Sequence, residues 1–136
     1  MTPVFADAYY FFALLNPRDE AHDSVTQFNA TLRRPIITTA WVLTEVADGL
    51  ASTPSRPLFA KLLKQLHCDP RVTIVDPTAE LFDAGVVLYT RRADKQWSLT
   101  DCISFEIMRQ HGITEALTAD RHFEQAGFTA ILKIGA

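Results

Sequence analysis

Trp97 to Phe128 reads WSLTDCISFEIMRQHGITEALTADRHFEQAGF. Ser98 followed three residues later by Asp101 is a helix-start signature, the serine capping and the acid reaching back. Beyond it Cys102, Ile103, Phe105, Ile107 and Met108 put apolar side chains on most sides of the helix. A helix that is apolar all round is a buried one. The pattern predicts a helix over 98–111, stopped by Gly112. EALT (115–118) then reads as a strand, Asp120 as its end, and Arg121–Gln125 as a short helix. A buried helix that hands over to a strand and then to another helix is the unit of an α/β sheet.

The same alternation extends outward in both directions. VFAD (4–7), IITT (36–39), VTIV (72–75) and AILKI (130–134) are short runs rich in strand formers. Between them AYYFFALL (8–15) reads as an apolar helix or turn, broken at Asn16-Pro17. Ala21, Val25, Phe28 and Leu32 recur at helical spacing, which predicts a helix over Asp19–Leu32. Further helices are expected at about Thr39–Leu50 and at Leu58–Leu66, with the turn-rich ASTPSRP between them. Asp76-Pro77 is expected to cap and open a helix that runs to about Arg92, followed by the loop ADKQW. This order predicts a three-layer α/β/α sandwich around a mostly parallel sheet of about four to five strands. In such sheets ligands bind beyond the C-terminal ends of the strands.

The bulk numbers narrow the function classes. The 136 residues suggest one domain spanning 1–136, with 48% hydrophobic and 21% charged residues. A net charge of −3 argues against a general nucleic-acid coat protein but leaves room for a local grip on RNA. The basic residues come in small groups, Arg33-Arg34, Arg91-Arg92 with Lys95, and Lys61 with Lys64, and such groups are usually solvated faces. No apolar run reaches the ~18 residues that a membrane span requires. The N-terminus has no basic start and Asp7 interrupts its apolar stretch, so no signal peptide and a cytoplasmic location are expected. Cys68 and Cys102 lack metal-ligand spacing, and both are expected to act as small core hydrophobes.

Four carboxylates stand out. Asp7 and Asp120 fall at strand ends, Asp101 in the first turn of the apolar helix, and Glu45 on the helix after the second strand. Each has a plain alternative. Asp7 and Asp120 could cap the helices that follow them, and Asp101 completes a capping box with Ser98. Glu45 lies opposite the stripe Leu43, Val46, Ala47 and Leu50 and could be a solvated glutamate. Asp101 nevertheless needs a partner inside a buried helix, which the helix dipole supplies in part and a cation would supply further. Carboxylates from separate segments that meet at one sheet edge, with no nucleophile beside them, suit a hard divalent cation and phosphodiester chemistry. Thr118 could support Asp120 through its hydroxyl.

VFADAYYFFALLNPRDEAH (4–22), ITTAWVLTEVADGL (37–50) and WSLTDCISFEIMRQHGITEALTADRHFEQAGF (97–128) together resemble the PIN-domain family. Within it they are similar to the VapC-like ribonuclease toxins of toxin–antitoxin pairs. The segment S-x-T-D-C-x-S-F and the run L-T-A-D-x-H-F-x-x-A-G-F are the most specific parts, and 51–96 the least distinctive. The resemblance implies a PIN-like fold and a metal-dependent endoribonuclease. It implies Mg²⁺ or Mn²⁺ held by Asp7, Glu45, Asp101 and Asp120, with Ser98 and Thr118 as supporting hydroxyls. It implies cleavage to a 3′-hydroxyl and a 5′-phosphate, an RNA substrate, a small antitoxin that blocks the site, and a homodimer. Arg121, Arg91 and Arg92 are the candidates for the substrate phosphates. Ala8 departs from the pattern, since many relatives carry a threonine or serine after the first aspartate. Asp19 and His22 match a recurring D-x-x-H and read mainly as a helix start with a partly buried histidine. Tyr9, Tyr10, Phe11 and Phe12 are expected mainly in the core, with the dimer contact as the alternative.

Three competing readings are weaker or fail on the residues. A PIN-like domain that binds RNA or protein without cutting is the alternative, although all four carboxylates are present. A receiver domain needs an acidic pair after the first strand and a lysine-proline near the last, but Lys133 is followed by Ile134. A haloacid-dehalogenase-like phosphatase needs Asp-x-Asp where the chain has Asp7-Ala8-Tyr9, and no phosphate-binding glycine loop is present.

Overall fold

The computed structural model describes residues 1–133. Along them run β1 (Val4–Ala6), α1 (Ala8–Leu15), α2 (His22–Thr31), β2 (Ile36–Thr39), α3 (Ala40–Gly49) and α4 (Arg56–Cys68). There follow β3 (Val72–Val75), α5 (Ala79–Arg91), α6 (Leu99–Gln110), β4 (Glu115–Leu117), α7 (Arg121–Gln125) and β5 (Thr129–Ala130). The strands form one sheet in the order β3-β2-β1-β4-β5. Every neighbouring pair is parallel, with Val4 opposite Ile36 and Phe5 opposite Ala116 at the centre.

The strand order dictates the layers. From β1 to β3 the chain steps one way along the sheet, then it returns past β2 and β1 to β4 and steps on to β5. Crossovers between parallel strands are right-handed almost without exception, so the reversal moves the connecting helices to the opposite face. Helices α1 to α4 therefore cover one face, where α1 packs on α2 and α3, and α3 on α4. Helices α5 to α7 cover the other, with α5 against α6 and α6 against α7. This is the expected α/β/α sandwich. The order reverses between β1 and β4, which opens a crevice at their C-terminal ends.

Burial follows the same plan. Val4, Phe5 and Ala6 of the central strand are fully buried, as are Cys102, Phe105, Ile107 and Met108 of α6. Phe105 meets Trp97 and Phe123 edge-on, at ring-centroid distances of 5.1 and 4.9 Å, which fixes α6 against α7. Both helices end the same way. Gly112 and Gly127 adopt φ of 67° and 97°, and Ile113 and Phe128 donate back to the carbonyls of Met108 and Phe123. That paired ending needs a left-handed residue, which glycine alone adopts without a Cβ penalty. In the aromatic run Tyr10 and Phe11 are buried and Tyr9 and Phe12 half-buried, so it serves the core.

Several boundaries differ from the expected ones. Helix α2 begins at His22 rather than Asp19. The Asp19 side chain instead accepts from the Ala21 N–H at 2.8 Å, and His22 Nδ1 lies 2.7 Å from the Ala13 carbonyl. Helix α4 starts at Arg56, because Pro57 fits in a first helical turn rather than ending the turn before it. Helix α5 is capped by Thr78, not Asp76: its hydroxyl accepts from the Leu81 N–H at 3.2 Å, and Asp76-Pro77 stays outside the helix. Strand β5 is Thr129–Ala130, shorter than AILKI (130–134), whose Ile131 and Leu132 form a turn that still donates to the Ala116 and Thr118 carbonyls and whose Ile134 lies outside the described residues. Cys68 is exposed at the end of α4 and Cys102 is buried, so only the second behaves as a core hydrophobe.

Candidate active site

Asp7 follows β1 directly, at the crevice where the strand order reverses. It occupies the cap position of α1 but makes no side-chain cap bond. Its carboxylate is taken up across the sheet instead. The Thr118 hydroxyl, one residue past β4, donates to Asp7 Oδ2 at 3.1 Å and accepts from the Asp120 N–H at 3.1 Å. A single hydroxyl thus ties the ends of the two central strands together. On the other side the Thr38 hydroxyl donates to the Ala6 carbonyl at 2.9 Å, which holds the end of β1 to β2.

Asp101 arrives from the first turn of α6. The capping box is complete: Ser98 Oγ accepts from the Asp101 N–H at 3.0 Å, and Asp101 Oδ2 accepts from the Ser98 N–H at 3.1 Å. The same Oδ2 lies 3.1 Å from His122 Nδ1, a hydrogen bond when that nitrogen carries the proton. Asp120 caps α7, its Oδ1 accepting from the His122 N–H at 2.9 Å and lying 3.6 Å from His122 Nδ1. Ligand atoms of Asp101, Asp120 and His122 all fall within 4.8 Å of one another. Among the described residues, Asp101 Oδ1 and Asp120 Oδ2 accept no hydrogen bond.

The electrostatics tie in the remaining two acids. Burial pushes the Asp7 carboxyl up to about 7 from 3.8, and the charges of Asp101 and Glu45 push the same way. The Ala8 N–H and the Thr118 hydroxyl oppose the rise. Glu45 is solvent-exposed on α3, yet its carboxyl is also raised, by partial burial first and then by Asp101, Asp120 and Asp48. The four carboxylates therefore share one field, with Asp7 at its floor and Glu45 at its rim. Ser104, one turn beyond Asp101 on α6, is buried and its hydroxyl has no partner among the described residues.

The basic candidates separate. Arg121 is exposed in a cleft with Lys95, Gln96 and His122, directly beside the carboxylates. Arg92 lies one cleft further, ion-paired with Asp94 at 3.0 Å and stacked over Trp97 at 5.1 Å. Arg91 ends α5 and lines neither cleft. His122 was not singled out from the sequence, and Lys95 was named only in the group with Arg91-Arg92, read as a solvated face. The signal for His122 was there: it follows Asp120 by two residues in LTADRHF, inside the first turn of a helix that Asp120 caps.

A family model described as the PIN domain matches residues 4–129. The chain belongs to the PIN-domain family. This PIN domain is 29% identical over 129 residues to the "23S rRNA-specific endonuclease VapC20" of Mycobacterium tuberculosis, covering 94% of the chain and 97% of that protein. Its fold matches the crystal structure of VapC20, described as a sarcin-ricin loop cleaving toxin, with a TM-score of 0.82 at 25% identity over 93% of this chain and 96% of that one. It also matches FitAcB from Neisseria gonorrhoeae with a TM-score of 0.64, covering 93% and 94% of the two chains. At 17% identity this shows the fold alone. Asp7, Glu45, Asp101, Asp120 and His122 all lie inside the PIN match.

Proposed function

We propose that this PIN domain is a divalent-metal-dependent endoribonuclease, acting as one domain and serving as the toxin of a toxin–antitoxin pair. The observation that carries the proposal is the buried Asp7 carboxylate, raised to about 7 and facing the field of Asp101 and Glu45. Buried like charges are tolerated where a cation compensates them. The donor set fits such a cation: oxygens of Asp101 and Asp120 that accept no hydrogen bond among the described residues, with a histidine nitrogen beside them. Oxygen-rich sites suit Mg²⁺ or Mn²⁺. In this reading Asp7, Glu45, Asp101 and Asp120 hold the metal or its waters, and the Ser98 backbone N–H and the Thr118 hydroxyl fix two of those carboxylates.

The chemistry a divalent cation supplies when bound in such a site is ionisation of water near neutral pH and neutralisation of phosphate charge. The chain supplies the rest. Thr118 holds Asp7 in place at the floor, and the Ser98 box fixes Asp101 at the first turn of α6. Arg121 and Lys95 draw the phosphates of an RNA strand toward the carboxylates, with Arg92 and then Arg91 further out. Water adds to phosphorus, the bond to the 3′-oxygen breaks, and a 3′-hydroxyl and 5′-phosphate result. Likeness to VapC20 makes large-subunit ribosomal RNA the first target to try. The same likeness supports a cognate antitoxin and a site of action in the cytoplasm. No described helix is long and apolar enough to cross a membrane. A homodimer completes the proposal. Light scattering that gives a monomer at micromolar concentration removes that part.

The test is cleavage of a mixed RNA pool with Mn²⁺, Mg²⁺ or EDTA, the wild type beside Asp7→Asn. Cutting that requires both metal and Asp7 is expected. Equal cutting by Asp7→Asn, or by the wild type in EDTA, refutes the assignment.

A further inference from the structure

Charge divides the surface on the two sides of the carboxylates. One flank is a cleft walled by Asp19 and Glu20 together with Tyr9, Lys133 and Ala119, the residue just before Asp120, so the acids outnumber the base there. The other carries Lys95, Gln96, Arg121 and His122 with one acid, Asp94, so the bases outnumber the acid there. A polyanion that leaves the site is repelled from the first flank and drawn along the second.

Lys95 and Gln96 also wall the next cleft, a space of about 520 Å³ whose other sides include Tyr89, Arg92 and Trp97. The carboxylates, the Arg121 cleft and this space are thus neighbours, sharing first His122 and then Lys95 and Gln96 as walls. The space lies within the range of ligand sites, about 300–1,000 Å³. Its two aromatic side chains differ in what they can still do. Trp97 is engaged: its Nε1 donates to Gln125 at 3.0 Å, Arg92 covers its face at 5.1 Å, and Phe105 meets it edge-on. Tyr89 is 50% exposed and stacks on no ring among the described residues. An exposed tyrosine face beside basic side chains is how proteins hold an unpaired base without reading its sequence. The Gln96 amide adds both donors and an acceptor at the same wall. The Asp94 carboxylate contacts both bases, 3.0 Å from Arg92 and 4.0 Å from Lys95, and these pairs are open to solvent, so a phosphate that displaces it loses little.

We propose that this cleft is a subsite for an unpaired nucleotide flanking the cleaved phosphate, its base stacked on Tyr89 and its phosphate held between Lys95 and Arg92. The proposal rests on the ribonuclease reading and assigns the nucleotide beside the scissile bond to named side chains. It implies that a single-stranded stretch or loop, rather than a closed duplex, is engaged beside the scissile bond.

The test reads binding without turnover. Fluorescence anisotropy in Mn²⁺ follows a labelled random-sequence RNA pool of roughly ten nucleotides and a duplex of the same length. The proteins are Asp7→Asn alone and Asp7→Asn combined with Tyr89→Ala or Tyr89→Phe. Expected is a rise of about 5- to 100-fold in Kd for single strands with Tyr89→Ala, the equivalent of losing one stacked base. Tyr89→Phe, which keeps the ring, restores the Kd, and duplex binding stays within about twofold throughout. Single-strand affinity unchanged by Tyr89→Ala overturns the proposal, and so does an equal loss on single strands and duplex. Tyr89 is exposed, so a thermal melt that matches Asp7→Asn shows the fold is kept. Cleavage of the same pool by the wild type is scored separately, so failure of the nuclease reading is not confused with failure of the subsite.

Discussion

Asp7→Asn is expected to remove the chemistry and, in the absence of metal, to make the chain more stable. Asp7 is 7% exposed, and its carboxyl is pushed up to about 7 from 3.8, chiefly by burial and then by Asp101 and Glu45. A carboxyl whose folded pKa exceeds its unfolded value keeps its proton longer in the folded chain. The folded state is then fully stable below the unfolded pKa and loses stability as pH rises from about 4 through about 7. At ~1.4 kcal/mol per pH unit, that interval corresponds to roughly 4 kcal/mol of destabilisation at about pH 8. Relaxation and water entry reduce such penalties, so about 2–4 kcal/mol is the working range. Asparagine has a similar shape and keeps an acceptor for Thr118 but carries no charge. Urea melts in EDTA should therefore show Asp7→Asn and wild type matched near pH 4, with the variant ahead by about 2–4 kcal/mol near pH 8. Excess Mn²⁺ should reverse the order, since a ligand present at about 100 times its Kd adds ~2.7 kcal/mol to the protein that binds it. An Asp7→Asn chain no more stable than the wild type in EDTA near pH 8 would refute the claim that Asp7 is held charged against its surroundings.

Thr118→Val removes the hydroxyl that lowers the Asp7 pKa and the acceptor for the Asp120 N–H. The acid limb of the cleavage rate should move to higher pH, and a pH–rate profile that keeps its position would exclude Thr118 from the site. Gly85→Ala builds a Cβ 2.3 Å from Ile103 Cγ1 and 3.2 Å from the backbone of Ile103, where α5 meets α6. About 1–3 kcal/mol of destabilisation should appear in the urea midpoint. Arg121→Ala should make the dependence of RNA affinity on salt shallower by about one phosphate contact. An unchanged slope returns Arg121 to the solvated surface.

Much of the fold could be read from local signals because each one named its own element. The Ser98–Asp101 box, Gly112 and the short run EALT mark α6 and β4 to within a residue or so, since caps and left-handed glycines are local chemistry. Boundaries failed where two local signals competed. Asp76-Pro77 reads as the start of α5, but the Thr78 hydroxyl two residues on takes the Leu81 N–H and begins the helix there. Pro57 reads equally as the end of a turn or as part of a first helical turn. The short β5 could not be read from AILKI, because its length is set by pairing with the three residues of β4. Cys68 was misread for the same kind of reason: its type favours burial, but its place at the end of α4 exposes it.

The site was legible as residue types and illegible as geometry, and Asp101 shows why. From the sequence, capping box and metal ligand are rival explanations of one carboxylate. In the structure they are compatible, because a carboxylate has two oxygens. Oδ2 takes the Ser98 N–H and faces His122, which leaves Oδ1 without a hydrogen-bond partner among the described residues. Asp120 repeats the division: Oδ1 caps α7 and Oδ2 is left over. Using one oxygen to fix the side chain and the other to meet a ligand costs little flexibility, since the cap has already removed the rotamer freedom that binding would otherwise have to remove. Asp7 is the exception that marks the centre. It stands at a helix start yet makes no side-chain cap bond, and its carboxylate turns instead to Thr118 across the sheet. A carboxylate that forgoes its cap at the reversal of the strand order, at the expense of its own ionisation, is what the proposed metal site calls for and what a helix start does not.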